Sequence, residues 1–164
     1  MNASPSEKVF EAAFAKTLKF EGCYVDDPAD PGGETKFGIS KRAYPDLDIE
    51  ALSEGDAGEI YRRDYWTRCR YGEIQNAAIA IEIFDVAVVC GPRRANMMLQ
   101  EAARRANGHH LEVDGILGDR TLGEINKCES PAHLLAELRL QEVEYFLRLN
   151  RPKYLAGWIR RALA

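Results

Sequence analysis

A long apolar segment near the middle of the chain sets the strongest limit on its fold. Residues 77–90 are apolar except for Glu82 and Asp85. The segment is too short to span a bilayer, and it is apolar on nearly every side. We therefore predict a central helix over residues 75–89 that fills the middle of a helical lobe. Asp85 is expected to be a buried, hydrogen-bonded structural acid, not a catalyst.

The remaining pattern of apolar residues and helix-start signals predicts a mainly helical chain. Ser53 and the Ser130-Pro131 pair are suitable N-terminal caps. Further helices are expected over residues 53–69, 93–107, 130–150 and 152–163, with a short one within 113–127. The aromatic stripe of the 53–69 helix is assigned to the core in preference to a ligand cleft. The last helix is basic and could contact an anionic polymer or membrane surface, although a solvated face is the commoner use of such charges.

The first helix directs a glutamate toward the interior. It starts at the Ser4-Pro5 pair, and Phe10 begins an apolar face with three- and four-residue spacing. Glu21 lies within about 20° of the Phe10 direction, and Gly22 can end the helix just after it. Apolar surroundings and the negative end of the helix dipole would both raise the pKa of this carboxyl group, as a general acid requires. The alternative is an exposed helix-terminal glutamate without a role.

A turn-rich segment follows Glu21. Residues 26–34 contain two Asp-Pro steps and a Gly-Gly pair, and extended residues flank them at Tyr24-Val25 and 35–39. We predict a small irregular hairpin that returns its acidic residues toward the end of the first helix. An EF-hand calcium loop is excluded, because prolines occupy the third and sixth positions counted from Asp26.

The segment Glu21–Ser40, with the sequence EGCYVDDPADPGGETKFGIS, resembles the signature of glycoside hydrolase family 108. These are lysozyme-like N-acetylmuramidases of phage or prophage endolysins and of secretion activator proteins. In phage lysozymes a glutamate ends a helix, and an aspartate and a threonine follow. Glu21, Asp30 and Thr35 are similar to that order, although four residues separate Asp30 from Thr35 where phage lysozymes have five.

Two later segments extend the resemblance. Phe84–Val88 with Gly91-Pro92 is similar to a second motif of the family, except that Val89 stands where asparagine is usual. Residues 113–122 and Gly157-Trp158 resemble a predicted peptidoglycan-binding segment. The resemblance implies a lysozyme-like catalytic segment over residues 1–91 and a helical peptidoglycan-binding segment over 92–164, packed into one globular unit.

The resemblance also implies a fold and a reaction. The expected fold is mainly α, of the α+β lysozyme type, with a helical lobe and one small hairpin beside an active-site cleft. The expected reaction is hydrolysis of the β-1,4 bond between N-acetylmuramic acid and N-acetylglucosamine, without a cofactor. Glu21 would be the acid, Asp30 would activate water or stabilise the sugar cation, and Thr35 would place the water. The candidate substrate-binding residues are Tyr24, Asp27, Phe37 and Asp114, the last of which is equally suited to a turn.

Charge and cysteine spacing limit the partners. Residues 1–60 carry 13 acidic and 6 basic side chains, whereas the remainder carries 13 acidic and 16 basic ones. An acidic catalytic half argues against nucleic acid as its ligand, but not against a cell-wall glycan. The four cysteines form no Cys-x-x-Cys pair, so no metal site is expected. Neither a signal region nor a membrane insertion is predicted. We therefore expect synthesis in the cytoplasm, export by a holin or another route, and action on periplasmic cell-wall peptidoglycan.

Three alternatives remain open at this stage. A lytic transglycosylase would use Glu21 without a second carboxylate. A non-catalytic peptidoglycan-binding protein could assist secretion. An interaction module for another protein is the third. The sequence also leaves open whether the reaction retains or inverts configuration, and which oligomeric state the protein adopts.

Overall fold

The structure is a computed structural model that describes residues 4–20, 24 and 33–164. Within these residues the chain forms seven α-helices and one two-stranded antiparallel sheet. The strands are β1 (Thr35–Lys36) and β2 (Ile39–Ser40). The predicted mainly helical fold with one small hairpin is confirmed. The helices are α1 (Pro5–Leu18), α2 (Glu54–Tyr61), α3 (Ala77–Cys90), α4 (Pro92–Asn107), α5 (Asp119–Asn126), α6 (Pro131–Leu149) and α7 (Pro152–Ala162).

Helix α3 is the centre of the fold. Asn76 caps it by accepting a hydrogen bond from the backbone N–H of Ile79. Its apolar side chains are buried on several sides, and Phe84 has no exposed surface. The Phe84 ring packs edge-on against Phe10 of α1 and against Trp66. The predicted central helix is confirmed.

Helix α1 begins as expected and ends early. The Ser4 hydroxyl accepts a hydrogen bond of 3.2 Å from the backbone N–H of Glu7, and Pro5 occupies the first turn. The α-helix ends at Leu18, and the next two N–H groups bond to carbonyls three residues back, which tightens the chain into a turn. The prediction that regular helix continues through residues 19 and 20 is therefore wrong. Glu21 lies outside the described residues.

Helix α2 changes its winding in its second half. Ser53 and Asp56 form a capping box at its start, so the predicted cap is confirmed. The helix continues as a π-helical segment over Arg62–Thr67, in place of the single α-helix predicted to about residue 69. Hydrogen bonds between residues five apart bring side chains with that spacing onto one side. Tyr61 and Trp66 are accordingly both buried against Phe84, and the core assignment of this aromatic stripe is confirmed.

The structure describes one hairpin, over residues 35–40, whereas the turn of the predicted hairpin, residues 26–34, lies mostly outside the described residues. Thr35 pairs with Ser40 and Lys36 with Ile39, so residues 35–40 form a complete hairpin by themselves. Its two turn residues, Phe37 and Gly38, have φ angles of +53° and +77°, as tight hairpin turns of this kind require. One extended strand over residues 35–39 is therefore a wrong prediction. Tyr24 has no regular secondary structure, and its neighbour Val25 lies outside the described residues.

One hydrophobic core continues through the described helices. It includes Phe10 of α1, Ile83 of α3, Leu99 of α4 and Leu138 of α6. The division of the chain at residue 91 nevertheless stays a prediction. In the part of the chain that the structure describes, no helix combines the length and the apolar character needed to cross a membrane.

Candidate active site

The last turn of α1 is tied to α3 and α7 by a buried hydrogen-bonded group. Thr17 is fully buried, and its hydroxyl donates to Asp85 on α3 at 2.8 Å. Arg161 on α7 donates from Nε and Nη2 to the two oxygens of Asp85, each at 2.9 Å. Its guanidinium also lies 5.1 Å from the ring centre of Phe20, the residue that precedes Glu21. Asp85 is thus the buried structural acid that the sequence predicted.

An ion pair also holds α1 at Lys16, one residue before Thr17. Glu82 on α3 accepts from Lys16 at 3.0 Å and from Arg139 of α6 at 3.2 Å. The Glu82 carboxylate is buried, and its two cations compensate the cost of removing it from water. Helix α1 is therefore held by charge at residue 16 and by a hydroxyl at residue 17.

Arg161 corrects the expectation of a solvated basic face on the last helix. Its side chain is buried, because the buried Asp85 carboxylate needs a cation. The sequence holds a signal for this orientation. Leu155, Trp158 and Arg161 follow at three-residue spacing, which places the arginine on the inward-facing stripe of α7. Arg160, the other basic residue noted there, is exposed.

Glu142 of α6 is a third acidic group in this interior. It is 1% exposed, and neither of its carboxyl oxygens has a hydrogen-bond partner among the described residues. Burial first, and then the nearby charges of Glu82 and Asp85, raise the pKa of Glu142 to about 8. The carboxyl group is therefore mostly protonated at neutral pH.

The predicted site residues Thr35 and Phe37 lie together on the hairpin. The Thr35 hydroxyl is half-buried and donates to the carbonyl oxygen of Gly33 at 3.3 Å. The Phe37 carbonyl accepts a 3.0 Å hydrogen bond from the hydroxyl of Tyr61, which fixes the hairpin turn to α2. The Phe37 ring is partly buried against the core.

The other predicted residues are placed less fully. Tyr24 is partly exposed at 38%. Glu21, Asp27 and Asp30 lie outside the described residues. Their proposed roles as acid, substrate contact and second carboxylate therefore remain predictions.

Asp114 lies on a separate turn that packs against α4. Its Oδ1 accepts from the backbone N–H of Ile116 and from Nε2 of Gln100, both at 2.8 Å. These hydrogen bonds, the one from Gln100 foremost, lower the pKa of the Asp114 carboxyl group. Gly115 lies between Asp114 and Ile116 and has a φ of +82°. A β-carbon added at this position would lie 2.8 Å from the carbonyl oxygen of Arg93. Asp114 therefore acts as a turn former, and a contact with substrate stays a prediction.

An aromatic hydroxyl and two charged groups meet beside the hairpin. Tyr44 donates to Asp64 at 2.7 Å, and Arg63 binds both oxygens of the same carboxylate at 2.8 Å. Burial, and then the bond to Asp64, raises the pKa of Tyr44. Hydrogen bonds from Arg63 and Tyr44 lower the pKa of Asp64, against a smaller opposing effect of burial. The sequence indicated Asp64 only as part of an aromatic stripe and gave no sign of this cluster.

The described residues hold no group of three His, Cys, Asp or Glu side chains that could bind a metal ion. The Nδ1 atom of His109 lies 3.1 Å from a carboxyl oxygen of Glu124. Cys69, Cys90 and Cys128 are free thiols, and Cys23 lies outside the described residues.

Two family models match adjacent parts of the chain. Residues 14–91 match the model described as glycosyl hydrolase 108. These residues are similar to that family. Residues 94–163 match a predicted peptidoglycan domain, so the glycosyl hydrolase 108 segment runs to the end of α3 and the peptidoglycan segment begins in α4. The resemblance drawn from the sequence is confirmed: the chain is similar to a glycoside hydrolase family over residues 14–91 and to a predicted peptidoglycan domain over residues 94–163.

One solved structure is similar to the chain over nearly its whole length. The chain is similar to SagA from Brucella abortus, with a TM-score of 0.72 and 26% sequence identity. The match covers 95% of this chain and 94% of that one. No curated protein matches the chain at a significant level.

Proposed function

We propose that this protein is an N-acetylmuramidase, which hydrolyses the β-1,4 bond between N-acetylmuramic acid and N-acetylglucosamine in cell-wall peptidoglycan. The observation that carries the proposal is the buried support of the last turn of α1. Thr17, Asp85 and Arg161 hold that turn, and Glu21 follows the supported Phe20 directly in sequence. Catalytic side chains need such fixed supporting groups to keep their geometry.

Each proposed residue has one step. Glu21 donates its proton to the glycosidic oxygen as the bond from that oxygen to the sugar C1 breaks. Asp30 either takes a proton from the water that attacks C1 or stabilises the sugar cation. Thr35 helps to place the water: its hydroxyl proton is directed to Gly33, so its oxygen can still accept a hydrogen bond. A separation of about 5 Å between the carboxyl groups of Glu21 and Asp30 would give retention of the configuration at C1. A separation of about 6.5 to 9.5 Å would give inversion.

A second candidate function is non-catalytic binding of peptidoglycan. The match of residues 94–163 to a predicted peptidoglycan domain favours it specifically, because that segment could attach the chain to the wall without hydrolysis.

The test is clearing of purified peptidoglycan by the wild type, Glu21→Gln and Asp30→Asn. Two matched variants make the same chemical changes at exposed positions: Glu11→Gln on α1 and Asp46→Asn in a turn. Circular dichroism first establishes that all five proteins fold. We expect clearing and new reducing ends from the wild type and both matched variants, and at least about a hundredfold slower release from the two site variants, in line with the usual effect of losing an acid or base.

The other outcomes separate the candidates. Equal activity of Glu21→Gln and the wild type would overturn the assignment of the acid. Anhydro-sugar products, with activity retained in Asp30→Asn, would identify a lytic transglycosylase. Sedimentation with the wall by every protein, without clearing by any, would establish the binding function instead.

A further inference from the structure

A second concave site lies between α4 and α6, within the segment that matches the predicted peptidoglycan domain. It encloses about 320 Å³. Helix α4 contributes Arg94, Met97 and Met98, and helix α6 contributes Gln141 and Tyr145. Thr35, the proposed catalytic residue that the structure describes, does not line it, and we refer to it as the α4–α6 pocket.

Gln141 lines this pocket, and its amide is one of the buried polar groups of the wall. The residue is 8% exposed, and its side-chain nitrogen has no hydrogen-bond partner among the described residues. A buried polar group without a partner destabilises a protein by about 1 to 3 kcal/mol. Such a group at a pocket wall indicates a ligand that accepts the missing hydrogen bond.

The charge of the pocket indicates an anionic ligand. The described residues include no acidic partner in an ion pair with Arg94, and its guanidinium is held 5.5 Å from the ring centre of Tyr145. The neighbouring Arg104 and Arg148 are already paired with Glu101 and Glu144. Arg94 is therefore the pocket cation available to a carboxylate, which guanidinium groups bind in a planar, two-pronged geometry.

The remaining wall is apolar and adaptable. Met97 and Met98 line it together with Val113, and methionine side chains adjust to small apolar groups. Besides the paired charges of Glu101, Arg104 and Arg148, the pocket thus combines one cation without an acidic partner among the described residues, one amide and a surface suited to a methyl group. A carboxylate beside a methyl-bearing carbon satisfies all three at once.

We propose that the α4–α6 pocket binds peptidoglycan through such a carboxylate. Two parts of the polymer share this chemistry, the lactyl group of N-acetylmuramic acid and the terminal alanine of a stem peptide. Arg94 pairs with the carboxylate, the Gln141 amide donates to it, and the methionines contact the methyl group. This inference rests on the proposed function only in taking peptidoglycan as the polymer.

The methionines allow a direct test, because the chain has only Met1, Met97 and Met98. We would label the methionine methyl groups with ¹³C in the full chain carrying Glu21→Gln, and titrate it with a disaccharide-peptide fragment of peptidoglycan. The expected result is a shift of the Met97 and Met98 methyl resonances, with Met1 unchanged. No shift with any fragment would overturn the proposal.

Further titrations identify the group that binds. A tetramer of N-acetylglucosamine has no carboxylate and should leave the methionine signals unchanged. A shift with the peptide-free disaccharide assigns the lactyl group, and a shift with the free stem peptide assigns the alanine; both support the proposal. An equal shift with the tetramer would contradict carboxylate recognition.

Point variants locate the contacts. In the same background, Arg94→Gln and Gln141→Leu should each weaken binding of the fragment by about tenfold, as loss of a charge-assisted hydrogen bond predicts. Arg160→Gln makes the same charge change at an exposed position on α7 and should have no effect. Unchanged affinity in both pocket variants would overturn the site. Methyl shifts in a protein whose wild type never clears peptidoglycan would leave this proposal standing while the muramidase proposal fails.

Discussion

Glu142 illustrates how a single side chain can make stability depend on pH. Its carboxyl group is buried without a hydrogen-bond partner among the described residues, between the charges of Glu82 and Asp85. Its pKa is about 8 in the folded protein, whereas an exposed glutamate has a pKa of about 4.3. The folded state therefore keeps a proton that the unfolded state has already released.

The prediction for Glu142 concerns the pH range between those two values. Because the folded state binds more protons there, the Glu142 contribution to the free energy of unfolding falls as pH rises, by up to about 1.4 kcal/mol per pH unit. The contribution is complete below about pH 4 and fully lost above about pH 8. Glu142→Gln should remove this slope and be more stable than the wild type at pH 8.5, as urea unfolding at several pH values would measure.

The matched control is Glu112→Gln, at an exposed position. It should keep the pH dependence of the wild type. A Glu142→Gln protein with the wild-type slope would mean that Glu142 is ionised in the folded state at neutral pH.

At the scale of elements, the decisive contact is the one between α7 and α3. The two nitrogens of Arg161 bind the two oxygens of Asp85, and Asp85 in turn accepts from Thr17. Three helices thus meet at one carboxylate. This arrangement makes the end of α1 depend on the helix most distant from it in sequence.

The prediction at this scale is that the losses of stability from removing the two charges are less than additive. Arg161→Met leaves Asp85 buried without its cation and should lower the free energy of unfolding by about 3 to 5 kcal/mol. Adding Asp85→Leu removes the unpaired charge, so the double variant should lose less than the sum of the single losses. Urea unfolding of the wild type, Arg161→Met, Asp85→Leu and the double variant measures the coupling energy between the two residues.

Arg139→Gln is the matched comparison for Arg161→Met. It also removes a cation from a buried acid, but Glu82 keeps its pair with Lys16, so the loss should be smaller. Wall clearing should slow in Arg161→Met beyond what its unfolded fraction explains, because the last turn of α1 loses its support. If the losses of unfolding free energy in Arg161→Met and Asp85→Leu simply add up in the double variant, the predicted coupling is wrong.

The sequence predicts the elements better than it predicts their ends and contacts. Apolar periodicity and capping residues identify α3 and the start of α1, since both signals are local. The turn within residues 35–40 was missed because nothing about Phe37 signals the positive φ that it adopts. The Arg161 contact was missed because its partner Asp85 is 76 residues away. Of the candidate site, Thr35 and Phe37 can be located, while Glu21 still rests on the sequence.

At the scale of the whole molecule, the two family segments share one hydrophobic core. The shared core includes Ile83 of the first segment and Phe10, which lies on α1 just before that segment. Leu99 and Leu138 of the second segment belong to the same core. The chain has two tryptophans, one in each segment. Trp66 packs against Phe84. Trp158 stacks on Phe146, with 5.0 Å between the ring centres.

We predict that the two segments unfold together. The shared core and the Asp85–Arg161 pair mean that neither segment can open without exposing apolar surface and a buried charge of the other. Fluorescence of Trp158→Phe reports on the first segment through Trp66, and fluorescence of Trp66→Phe reports on the second through Trp158. Each variant should give a urea midpoint that coincides with its own far-ultraviolet circular dichroism midpoint.

Two separated transitions would contradict this prediction. In that case the Trp158 signal would change at one urea concentration and the circular dichroism of the same variant would show a second step. Such a result would establish the segments as independent folding units.

The pair between Asp85 and Arg161 also has a consequence for synthesis on the ribosome. Asp85 is made 76 residues before Arg161, which at typical rates of elongation is a delay of roughly 4 to 15 seconds. During that interval the nascent glycosyl hydrolase segment has no cation for its central carboxylate, so the support of α1 is incomplete. The last turn of α1 gains that support only after Arg161 has left the ribosome.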